Sequence, residues 1–67
     1  MTYARLCPDG RTARVVKMLG GELDGKWIVF ASKEIVALGS EPGSATTFRT
    51  SEEAMRATDE WVSRGCP

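Results

Sequence analysis

The chain contains no histidine. That absence removes His-ligated metal centres, Ser–His and Cys–His nucleophile pairs, and the commonest general base among side chains. Cysteine is nearly absent too, with only Cys7 and Cys66. A zinc site built from cysteine alone needs three or four thiolates at short spacings, so one chain cannot form it. Neither sign of charge is in excess, because nine Lys and Arg balance nine Asp and Glu. No net field therefore draws the chain to nucleic acid or to an anionic membrane. Long hydrophobic runs are missing as well: the longest, Trp27 to Ala31, falls far short of the roughly 20 residues of a bilayer-spanning helix. The opening MTYARLCPDGRTAR lacks the apolar stretch of a secretory signal, which makes a cytoplasmic location the expectation.

What is present is a globular balance, with 42% hydrophobic and 27% charged residues in 67 positions. A chain of this size makes a single domain, residues 1–67. Cys7 and Cys66 lie near opposite ends, each followed by proline. In a reducing compartment two free thiols are expected. A Cys7–Cys66 bridge is the alternative, since chain ends often meet in space, and by loop entropy it would contribute about 4 kcal/mol.

Asp24-Gly25, flanked by apolar runs, predicts a hairpin with a type I′ turn and arms of roughly 13–23 and 26–32. Gly20 and Gly21 suggest a bulge in the first arm. Lys26–Ala31 and Ile35–Leu38 are rich in β-branched and aromatic residues, with Ser32-Lys33 as a tight turn between them. Gly39–Ser44 reads as a loop, Ala45–Arg49 as a short strand, and Tyr3–Leu6 as an additional N-terminal strand. Thr50 and Glu53 have the capping-box spacing of a helix start, and Gly65 is placed to end that helix. Ala54, Met55, Thr58, Trp61 and Val62 make its apolar stripe, with Trp61 as a core anchor. The fold expected is α+β: a small antiparallel meander of three to five strands with one C-terminal helix packed on one face.

A Ser32-Lys33 turn sets Phe30 opposite Ile35 and Ile28 opposite Ala37 on one face, and Trp27 opposite Leu38 and Val29 opposite Val36 on the other. Both faces are apolar, and one helix covers one of them. The face carrying Trp27, Val29, Val36 and Leu38 is expected to remain open and to bind a partner, either another protein or a second copy of the chain; the alternative is that Met1–Leu6 folds back over it or that Trp27 and Val29 stay as a small exposed cluster. The alternative partner is nucleic acid. Residues 1–33 carry an excess of basic side chains, and Arg5, Arg11, Arg14 and Lys17 could line a phosphate-contacting stripe on the first strands. No catalytic pair, cofactor or metal is expected. Glu52, Glu53, Asp59 and Glu60 fall on the polar side of the helix, and Gly39–Gly43 matches no phosphate-loop signature.

The segment KWIVFASKEIVALGSEPGSATTFRTSEEAMRATDEWV, residues 26–62, with Phe48, Thr50, Glu53-Ala54 and Trp61 in order, resembles a hairpin–strand–helix pattern. The arm-type DNA-binding modules of phage integrases look similar, which implies three strands with a packing helix and DNA contact through a basic sheet face. The corresponding strands here carry Trp27, Val29, Val36 and Leu38 instead. In size and in its lack of catalytic groups the chain is also similar to small phage-encoded inhibitors such as anti-CRISPR proteins. That likeness implies a non-enzymatic protein that works by occupying a partner's surface.

Overall fold

Residues 3–39 and 41–67 are described by the structure, a computed structural model. They form strands β1 (Ala4–Leu6), β2 (Thr12–Lys17), β3 (Trp27–Ala31), β4 (Glu34–Val36) and β5 (Thr47–Phe48), then helix α1 (Ser51–Ser63). All pairings are antiparallel. The sheet runs β1-β2-β3-β4, and β5 pairs with β3 beyond the end of β4. This is the expected α+β meander with one helix on it.

Ser32-Lys33 makes the tight turn between β3 and β4, with Ser32 at a φ of 57°. Phe30 then faces Ile35, and Val29 faces Val36, as the alternation requires. The next expected pairs, Ile28 with Ala37 and Trp27 with Leu38, do not form. The chain turns away at Leu38, whose N–H bonds the Val36 carbonyl at 2.9 Å. Phe48 and Thr47 take those places beside Trp27 and Ile28. Gly39 permits the exchange, because it lies directly against the backbone of Thr47.

The connection between β2 and β3 is longer than a two-residue turn. Met18 N–H bonds the Lys26 carbonyl at 2.8 Å and Gly25 N–H bonds the Met18 carbonyl at 2.9 Å, leaving residues 19–24 as a loop. A type I′ turn needs positive φ at both central residues. Gly25 has it at 80°, whereas Asp24 does not. The Asp24 carboxylate instead accepts the Gly20 N–H at 2.6 Å and draws the loop closed.

Thr50 caps α1 as expected, its hydroxyl oxygen accepting the Glu53 N–H at 3.2 Å. The helix ends in a Schellman motif: Cys66 N–H reaches the Trp61 carbonyl at 3.0 Å, Gly65 N–H reaches that of Val62 at 2.9 Å, and Gly65 has a φ of 90°. This places Cys66 against Cys7, and the two form a disulfide with Cα atoms 5.9 Å apart. The expectation of two free thiols is therefore corrected. The helix terminator delivers one cysteine to the other, and Trp61 shares the buried cluster that encloses both.

Buried alanines set the helix down on the sheet. Ala13 and Ala31 lie opposite each other on β2 and β3, and both are buried together with Ala54 of α1. Small side chains here let the helix approach the strands closely, while Val29, Phe48 and Trp61 fill the space on either side.

Candidate protein-binding face

Strand register sorts the side chains into two faces. Beneath the helix lie the rows Arg5–Ala13–Ala31–Glu34, Val15–Val29–Val36 and Lys17–Trp27–Phe48. On the opposite face lie Ala4–Arg14–Phe30–Ile35, crossing four strands, and Val16–Ile28–Thr47.

Trp27, Val29, Val36 and Leu38, expected on the open face, are therefore on the helix side. Val29 is fully buried, and the other three pack partly buried against the core clusters. The correction has a physical cause. Both sheet faces are apolar, but only this one carries the alanine pair that lets a helix approach. A sheet apolar on both sides under one helix is indeed what the chain builds, with the two faces exchanged.

Among the described residues, the open face is buried at one end, at Ile28 and Thr47, and exposed toward the other. Lys26 Nζ pairs with Glu41 Oε2 at 2.6 Å, holding Glu41 near the end of β3 where Ile28 and Thr47 are buried. The second carboxylate oxygen of Glu41 is buried and has no hydrogen-bond partner among the described residues. Beyond that end, Phe30 and Val16 are half-buried, Ile35 is 50% exposed and Leu6 is 71% exposed. Arg14 stands exposed in the middle of this apolar surface and takes part in none of the ion pairs among the described residues.

The four basic residues considered for nucleic acid do not form a stripe. Arg5 Nη1 binds Asp59 of the helix at 2.5 Å. Arg11 donates to Asp9 at 2.6 Å and to the Cys66 carbonyl at 2.7 Å, and its guanidinium lies 5.4 Å from the centre of the Trp61 ring. Lys17 lies 6.0 Å from the centre of the Trp27 ring on the helix side. Arg14 alone faces outward from the open sheet.

Two ionisable groups are perturbed. Burial pushes the Tyr3 phenol above the usual tyrosine range, and its hydrogen bond to the Asp59 carboxylate adds to the effect. The backbone N–H of Arg11, then its guanidinium, holds the Asp9 carboxyl below the usual carboxylate range. Both belong to structural contacts. Tyr3 and Arg5 join β1 to α1 through Asp59, and Asp9 orders the turn that leads into β2.

Among the described residues no group of three or more His, Cys, Asp or Glu is placed to hold a metal ion, and no helix is long and apolar enough to cross a membrane. No protein-family model matches the chain, and no curated protein or solved structure matches it either.

Proposed function

We propose that this chain is a non-catalytic protein-binding module that works by covering a partner's surface with its open sheet face. One observation carries this reading: Phe30, Ile35, Val16 and Leu6 form an apolar surface on the side of the sheet away from the helix, and Arg14 among them joins no ion pair among the described residues. Contiguous apolar surface on a small domain marks an interaction site, and a fixed cation within it selects a partner bearing a carboxylate or phosphate there. The missing histidine, which removes the commonest proton-transfer side chain, supports the non-enzymatic reading.

An intracellular inhibitor of the anti-CRISPR type is the narrower form of this proposal. The Cys7–Cys66 bridge weighs against it, because disulfides persist in oxidising compartments and are rare in the cytosol. A cytoplasmic inhibitor would have to stay folded with both thiols reduced. A thermal melt in reducing buffer separates the two locations. A nucleic-acid module is not favoured, since three of its four candidate side chains contact other groups within the domain.

The test is a pair of exposed substitutions, Arg14→Glu and Ile35→Glu, made singly and together. Circular dichroism and the melting curve should be unchanged, because both side chains point to solvent. Self-association in sedimentation, and retention of whichever protein the wild type captures, should be lost in the double variant. A double variant that associates as well as the wild type would rule out this face.

A further inference from the structure

On the helix side, α1 stops short of covering the end of the sheet where β2 and β3 leave their hairpin loop. A groove of about 640 Å³ remains between the β1–β2 edge and the first turns of the helix. That volume lies within the range of small-molecule sites, roughly 300–1,000 Å³. Its lining includes Val15, Trp27 and Met55, with Tyr3 and Ser51 at the sides and Lys17 beside them. Trp27 is half-buried, so part of its ring remains available within the groove.

Charge narrows what can enter. The Lys17 ammonium lies 6.0 Å from the Trp27 ring centre and joins none of the ion pairs among the described residues. The nearby Asp59 carboxylate is already engaged by the Tyr3 hydroxyl and the Arg5 guanidinium. The groove thus presents an aromatic surface, a polarizable thioether and one cation not engaged by a carboxylate. We propose that it binds a small flat apolar molecule carrying an anionic group, of the aromatic carboxylate or sulfonate class. The ring system stacks against Trp27 and Met55, and the anion pairs with Lys17. Ala4 and Val16 of the open face reach its rim at the β1–β2 edge, but Trp27, Lys17 and Met55 lie on the other side of the sheet from Arg14, Phe30 and Ile35, so substitutions at those residues test the two sites separately.

The experiment compares two probes of similar aromatic size, the anionic 8-anilino-1-naphthalenesulfonate and the neutral N-phenyl-1-naphthylamine. Each is titrated into the intact oxidised protein and followed by amide and indole NMR shifts. The anionic probe should move the signals of Val15, Lys17, Met55 and the Trp27 indole. Lys17→Gln should weaken the anionic probe about two- to fivefold, as loss of an exposed ion pair does, and leave the neutral probe unchanged. Ile35→Glu, on the far face, should alter neither. Absence of binding, shifts centred on Phe30 and Ile35, or equal weakening of both probes by Lys17→Gln would each overturn the proposal.

Discussion

Gly39 lies so close to Thr47 that a Cβ at position 39 would stand 2.3 Å from the Thr47 backbone nitrogen. The same glycine donates its N–H to the Ala45 carbonyl at 2.7 Å, so the strand exchange from β4 to β5 passes through a position with no room for a side chain. Backbone on both sides of the contact leaves nothing flexible to yield. Gly39→Ala should therefore lose about 3 kcal/mol, the upper end of the usual cost of overpacking. A urea melt followed by helix ellipticity measures it, and a midpoint within error of the wild type would show that β5 does not need this approach.

The disulfide makes a large contribution in a chain this short. Domains of this length are stabilised by about 3–10 kcal/mol in total, and closing the Cys7–Cys66 loop accounts for about 4 kcal/mol in the chain-entropy account. Reduction, or Cys7→Ser with Cys66→Ser, should leave a chain that is largely unfolded or melts many degrees lower. Far-ultraviolet circular dichroism with and without reductant reads this directly. A reduced protein that keeps its melting temperature would refute the estimate and restore the cytoplasmic option.

Tyr3 is the only tyrosine, so the phenolate absorbance band reports it alone. Its folded-state pKa is raised, by burial first and then by Asp59. A raised value stabilises the fold fully below the unfolded-state pKa and loses that contribution as pH climbs through the folded one. Stability should accordingly fall on the alkaline side, with the native phenol titrating above the phenol of the urea-unfolded chain. Asp59→Asn should bring the native midpoint back toward the unfolded one; no change on that substitution would leave burial as the sole cause.

Two terminal devices can be tested by stability alone. Thr50→Ala removes the oxygen that accepts the Glu53 N–H and should cost about 1 kcal/mol. Ser32 holds a φ of 57° in its two-residue turn, a region that is costly for any residue with a Cβ. Ser32→Gly should gain about 0.5–1 kcal/mol once the added chain entropy of glycine is subtracted. Ser32→Val should be destabilising, and the opposite order of the two variants would contradict the observed turn.

Local chemistry made much of this fold legible. The Thr50 cap, the Gly65 terminator, the Ser32-Lys33 turn and the Phe30–Ile35 pairing all follow from side chains acting within a few residues of themselves. The choice of face did not follow, because alternation along β3 and β4 is apolar on both sides. The deciding signal was on another strand. Arg14 pairs with Phe30 and Ala13 with Ala31, so the arginine marks the face left to solvent and the alanines mark the face that admits the helix. Reading β2 and β3 together would have exposed it. The disulfide was legible only as the alternative to two free thiols, because it depends on where a helix of fixed length, ended by Gly65, releases its last residues.

Because Cys7 and Cys66 are joined, a pulling force applied to the two ends of this polypeptide would travel through a single sulfur–sulfur link and leave the intervening residues unloaded. Strand β1, at Ala4–Leu6, lies outside that ring and would be drawn away from β2, whereas β2 to β5 and the helix, all within it, would feel no tension. The oxidised protein is thus mechanically a closed loop, and only chemistry at that link can make it extensible.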